Sequence, residues 1–154
     1  MARELGIAIC PWSPLASGFL TGKYQRTKDG VTGQGRIQEV QHSGNPVLEK
    51  FTAERNWKIL EGLTAVSKEL GKTPSEIALN WVANRPGVYS TLIGATKLPQ
   101  LEANIKALDF ELPESTRKTL DELSKPEDTE LDHFFGPVLQ GMINGNTRVR
   151  RIDG

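Results

Sequence analysis

Only one cysteine, Cys10, stands among the 154 residues, and a single thiol cannot build an intramolecular disulfide framework. Such sparing use of cysteine fits a reducing compartment, so a cytoplasmic protein is expected. No charge of one sign dominates either, since 19 lysines and arginines balance 19 aspartates and glutamates. That balance gives no electrostatic footprint for a nucleic acid or an anionic membrane surface, and neither is expected as a partner. No apolar run approaches the ~20 residues that cross a bilayer. The opening "MARELGIAIC" lacks the longer apolar core and small-residue cleavage site of a secretory signal. Histidine is scarce: His42 and His133 both stand in polar or irregular surroundings, and neither is expected to be catalytic. No metal site is expected.

What is present alternates between strand and helix signals. "GIAIC" (6–10) is a short apolar run with two isoleucines and reads as a fully buried strand. Residues 25–44 are polar and glycine-rich and read as a long loop. A helix is expected from Asn45 as N-cap and Pro46 at the first helical position. Its apolar stripe is Leu60, Leu63, Val66 and Leu70, and Gly71 ends it. "TPSE" (73–76) has the form of a capping box, opening a second helix through Ile77, Ala78, Trp81 and Val82. "VYSTLIG" (88–94) reads as a second buried strand. Helices are then expected over about 98–107 and 113–124, with a weaker one near 137–143. Strand, helices, strand, helix is α/β organisation with parallel pairing. Two strands alone cannot bury both faces of a parallel sheet, so a partner or further strands are required.

One stretch stands out. "WSPLASGFLTGKY" (12–24) places small, polar and glycine residues directly after an apolar strand, behind an aromatic ring. It resembles the segment after the seventh barrel strand of the aldo-keto reductases. "LIGATKLPQLEANIKAL" (92–108) is similar to that family's eighth strand, loop and following helix, and "GKTPSEIALNWVANRPGV" to the stretch between them. The resemblance covers about residues 3–124 and implies the C-terminal portion of a (β/α)8 barrel, two parallel strands plus several helices, incomplete as a barrel. It divides the chain into a reductase part, 1–124, and a partly helical tail, 125–154.

The family's cofactor implies NADP(H), bound at the C-terminal face, where the loops after strands seven and eight of such barrels often hold phosphate. On this reading Trp12 lies against the nicotinamide. Ser13, Pro14, Leu15, Ala16, Ser17 and Gly18 let the pyrophosphate approach the backbone, and Lys23 brings a positive charge. Gly94, Thr96 and Lys97 lie between a strand end and a helix start, with Thr96 a good N-cap and Lys97 suited to a 2′-phosphate. Gln100 and Asn104 share a helical face that the family turns to adenosine. Ala103 departs from the pattern, since many members carry Glu there. Arg36 folds over the cofactor in one reading and is a solvated loop charge in the other.

The catalytic set is not legible. The family uses a Tyr general acid with Asp, Lys and His, all from the first half of the barrel. Tyr24 and Tyr89 have no suitably spaced Asp and Lys, so no catalytic residue is assigned and both are expected to be structural. Trp57 and Trp81 are expected to pack, and Cys10 to be a buried, inert thiol. Phe134 and Phe135 either pack on the barrel or line a carbonyl pocket. The chain is expected to serve an NADPH-dependent reductase of aldehydes or ketones while being inactive alone, and to self-associate or pair with an N-terminal half-barrel. The alternative is a non-catalytic dinucleotide-binding or structural module.

Overall fold

The computed structural model describes residues 2, 4–28, 30–40, 51 and 53–126, without the side chains of 39 and 40. Contacts divide the chain into two units, Met1–Ser124 and Lys125–Gly154. Asn45, Pro46, His42, His133, Phe134, Phe135 and the expected helix near 137–143 lie outside the described residues.

The first unit is built from strand β1 (Gln25–Thr27), strand β2 (Gly30–Thr32) and helices α1 (Arg36–Val40), α2 (Glu54–Leu70), α3 (Pro74–Ala83), α4 (Leu98–Lys106) and α5 (Glu114–Ser124). A 3-10 helix, Ala16–Thr21, precedes β1. Two apolar clusters hold these together. One gathers Phe19, Tyr24, Val31, Ile37, Trp57 and Leu60. The other gathers Leu63, Val66, Ile77, Ala78, Leu112 and Leu120. Helix α2 runs through both, because its apolar residues recur at steps of three and four and its stripe meets two neighbours in turn. It ends at Gly71, whose φ of 62° is the left-handed turn that a side chain disfavours.

Helix α3 starts as the sequence directs. The Glu76 N–H donates to Thr73 Oγ1 at 3.2 Å, and the Thr73 N–H donates back to Glu76 Oε2 at 2.8 Å. That backbone bond from Thr73, with help from the Thr73 hydroxyl and Lys72, holds the Glu76 carboxyl below its ordinary value. At the far end of α3, the Asp121 carboxylate of α5 accepts from Trp81 Nε1 at 2.8 Å and from Arg85 at 2.9 Å. The Arg85 guanidinium also lies 4.0 Å from the centre of the Trp81 ring. Trp81 therefore packs, as expected, and is fixed by a charged clamp that periodicity alone does not reveal. Arg85, followed by Trp81, lowers the Asp121 carboxyl from its usual range.

Two expectations change. The runs 6–10 and 88–94 do align in parallel, through bridges Ile9–Val88 and Trp12–Leu92. The Ile9 N–H donates to Gly87 O, the Tyr89 N–H to Ile9 O and the Leu92 N–H to Pro11 O, at 2.9, 2.9 and 3.0 Å. They are not buried, however: Ile7 is 54% exposed and Leu92 57%. The physical reason is that a parallel pair needs neighbouring strands and covering layers on both faces, and the described residues supply only part of these. Cys10 is exposed with them, and Tyr89 is 88% exposed.

The second change is in the segment read as a loop. Gln25–Thr27 and Gly30–Thr32 pair antiparallel, with Gln25 opposite Thr32, Arg26 opposite Val31 and Thr27 opposite Gly30, and α1 follows. These strands are nearly all polar, so hydrophobic period gives no signal. Val31 ties them to the core, Ile37 of α1 packs beside it, and Arg26 pairs with Glu54 of α2.

Candidate functional site

The loop that leaves the first parallel run is held in an unusual backbone. Ser13, Ala16 and Ser17 have φ of 53°, 49° and 57°, the left-handed region that glycine normally occupies. Leu15 between them has φ −101° and ψ 12°. Alternation of left- and right-handed residues is the backbone geometry of anion-binding loops. Each such residue costs about 1–3 kcal/mol and persists only where its surroundings impose it. Phe19, nearly fully buried, anchors the end of this loop, its ring meeting Trp57 of α2 edge-on at 4.8 Å and 68°, and Leu15 packs against the second apolar cluster. Short bonds close the loop: Ala16 N–H to Ser13 O and Gly18 N–H to Leu15 O, both 2.9 Å, and Thr21 Oγ1 to Gly18 O, 2.8 Å. Pro14, Leu15, Ala16, Ser17 and Gly18 are half-buried, while Ser13 is exposed.

Lys23 lies against this loop. A Cβ built on Gly18 would come within 3.0 Å of its Nζ, and one on Gly35 within 2.5 Å of it and 2.6 Å of Tyr24 Oη. With φ of 144°, Gly35 is thus the residue that lets the segment after the hairpin close over Lys23 and Tyr24. Tyr24 is buried and its hydroxyl accepts the Ile37 N–H at 3.2 Å, so its role is to fasten α1. Arg36, exposed, follows Gly35 directly and so stands close to the same loop.

The second segment leaves the other parallel run. Gly94, Thr96 and Lys97 are exposed, and the N-cap of α4 is Lys97, with φ −138° and ψ 144° and no side-chain cap. Thr96 is therefore not the cap, although the helix starts at Leu98 as expected. Instead, the Thr96 N–H and hydroxyl donate to Gln100 Oε1 at 3.0 and 3.1 Å. Gln100 holds the 94–97 turn from within the helix. Asn104, one turn on and half-buried, shares its face.

The two segments lie side by side. The Trp12–Leu92 bridge joins the residue that opens one loop to the strand that delivers the other, and both loops leave the same end of a parallel pair. Ligands of parallel α/β folds bind at that end. The Trp12 ring is 78% exposed there, free to stack on a flat heteroaromatic ring. The arrangement can therefore offer amides, small residues, two lysines and an aromatic platform to an extended anionic dinucleotide. Among the described residues, no group of three His, Cys, Asp or Glu could hold a metal ion, and no helix is long and apolar enough to cross a membrane.

The model of one protein family, described as the aldo/keto reductase family, matches residues 1–125. The chain belongs to that family. It is 35% identical, over 130 residues and 81% of its length, to the Oryza sativa subsp. japonica protein called "Probable voltage-gated potassium channel subunit beta". It is 32% identical, over 104 residues and 68% of its length, to L-glyceraldehyde 3-phosphate reductase of Escherichia coli (strain K12). Among solved structures, it is similar to the glycerol dehydrogenase of Gluconobacter oxydans, with TM-score 0.61 and 22% identity over 82% of this chain. The last likeness speaks for the fold. The chain spans 38% of the length of the rice protein, 29% of the Escherichia coli one and 38% of the Gluconobacter one. The aldo/keto reductase fold thus accounts for the parallel alignment of the two runs and for the helices that connect them.

Proposed function

We propose that this aldo/keto reductase chain holds NADPH for the reduction of aldehydes or ketones to alcohols. The observation that carries the reading is the pairing of Trp12 with Leu92, which puts two glycine-bearing loops at one end of a parallel pair. Ser13, Pro14, Leu15, Ala16, Ser17 and Gly18 would take the pyrophosphate on turned-in backbone, with Lys23 beside it. Gly94, Thr96 and Lys97 would take the 2′-phosphate, and Gln100 and Asn104 the adenosine, once Gln100 releases Thr96. Bound there, NADPH would supply a hydride to a carbonyl carbon beside the Trp12 ring. The chain's part is to bind and orient; no described tyrosine is set to give the proton. A small carbonyl compound is the substrate class, in keeping with the name of the Escherichia coli relative.

The reading includes a cytoplasmic setting and a partner. The exposed apolar side chains of Ile7, Leu92 and Ile93 call for cover from a second copy or from a segment supplying the other six strands. Sedimentation at micromolar concentration should find a dimer or larger species, and a compact, cooperatively unfolding monomer would refute this part.

The cofactor preference is tested by titrating the protein with NADPH and NADH while following tryptophan fluorescence. NADPH should bind more tightly, because a charge-assisted contact of Lys97 with the 2′-phosphate contributes ~1.5–3 kcal/mol, roughly tenfold to a hundredfold. Lys97→Ala should bring the two affinities together. Equal affinity in the unsubstituted protein would sink the assignment.

A further inference from the structure

Helix α4 carries Gln100 and Asn104, yet none of its residues is buried, and Leu98, Leu101 and Ile105 are all exposed. Apolar packing therefore does little to fix it. On the side toward α3 there is a cavity of about 500 Å³, lined in part by Leu79, Ala83, Asn104, Ile105 and Leu108. Something else must set where this helix stands.

Asn80 of α3 is the group that does so. It is 1% exposed, among the most deeply buried side chains described. Its Nδ2 donates to Ala107 O at 2.8 Å and to Phe110 O at 2.6 Å. Ala107 is the C-cap residue of α4 and is itself fully buried. Its carbonyl belongs to the set that a helix end leaves without an intrahelical partner. Asn84 completes the arrangement: its Nδ2 donates to Asn80 Oδ1 at 3.1 Å and to Asn80 O at 3.0 Å. Both donors and the acceptor of the Asn80 amide are thus used, which fixes its orientation. A buried amide satisfied on all sides tolerates one geometry and penalises the rest.

We infer that Asn80 is a positioning residue for dinucleotide binding: it touches no ligand, and it sets the placement of α4 and so of the adenosine-side groups Gln100 and Asn104. The inference rests on the functional reading above for the ligand and on the hydrogen bonds alone for the anchor. It predicts a particular asymmetry. The loop at 13–18 is held by Phe19 against Trp57 and by Leu15 against the cluster that includes Ile77 and Ala78, while the Asn80 amide donates to Ala107 and Phe110, so the nicotinamide half of the cofactor should sense this residue far less than the adenosine half.

The experiment compares Asn80→Leu, which keeps the number and branching of side-chain heavy atoms and removes both donors, with the unsubstituted protein and with Asn80→Ala. Binding of NADPH and of reduced nicotinamide mononucleotide is titrated, and amide hydrogen exchange is followed over 98–106 and over 57–70. NADPH affinity should fall about tenfold or more in Asn80→Leu, while the mononucleotide affinity stays within about twofold. Exchange over 98–106 should speed up, with 57–70 unchanged. An equal loss for both ligands, or equal acceleration in both helices, would show a general structural role and overturn the inference. So would unchanged NADPH affinity. If the unsubstituted protein bound no NADPH, the functional reading would fail by itself. Exchange over 98–106 would then still decide whether Asn80 anchors α4.

Discussion

Replacing Trp57 with alanine is expected to destabilise the first unit by about 3–5 kcal/mol, the range for truncating a large buried aromatic. The ring is buried among Phe19, Tyr24, Val31, Ile37 and Leu60, and its edge-on contact with Phe19 adds to the area it covers. A domain of this size has roughly 5–15 kcal/mol in all, so the loss is a large share of it. The effect should reach the site because Phe19, the ring that Trp57 packs on, follows closely on the left-handed Ala16 and Ser17 and anchors that end of the loop in the core. Urea denaturation gives the stability change from the shift in midpoint at constant slope. Trp57→Phe should recover much of the loss by keeping a ring against Phe19. A cost below about 1 kcal/mol for Trp57→Ala would mean that the loop is held by something other than this pair.

The second large effect concerns catalysis. The purified 154-residue chain, given NADPH and a simple aldehyde, should show no measurable reduction. Hydride delivery must be matched by a proton at the carbonyl oxygen, and a positioned general acid contributes about 10²–10⁴-fold. Tyr24 cannot serve, being buried with its hydroxyl engaged by the Ile37 N–H. Tyr89 stands exposed on the wall of the cavity between α3 and α4, a cavity that Trp12 does not line. Adding a folded polypeptide that supplies six further strands with an Asp, Tyr, Lys and His set should restore turnover. Tyr24→Phe and Tyr89→Phe should leave that restored activity in place. Strong reductase activity from the chain alone, abolished by either substitution, would contradict the division of labour argued above.

How far the sequence reveals this depends on the kind of force at each place. The helices were legible because burial imposes a period: the Leu60, Leu63, Val66 stripe and the Thr73–Glu76 box are local patterns with local causes. The alignment of 6–10 with 88–94 was legible too, since apolar runs followed by glycine-bearing loops have few other uses in an α/β chain. Their burial was not, because it depends on neighbours rather than on the runs themselves. The β1–β2 hairpin escaped because its strands are polar and Val31 is the residue in them that reaches the core. The left-handed dihedrals at Ser13, Ala16 and Ser17 had no signal at all: these are ordinary residues in a loop whose anchor, Phe19, packs on a ring 38 residues further along the chain. Asn80 was hidden for a similar reason. It sits within an apolar helical pattern, and its worth comes from carbonyls 27 and 30 residues further along the chain.

The account stands on one claim, that the 12–18 loop and the 94–97 turn form a single dinucleotide site. Mapping amide and indole chemical shifts of the isotope-labelled protein during titration with NADPH tests it most directly. The Trp12 indole and the amides of residues 13–18 and 94–97 should shift together along one binding curve, with α5 unmoved. Shifts confined to the cavity between α3 and α4, or two loops that respond at different concentrations, would contradict it.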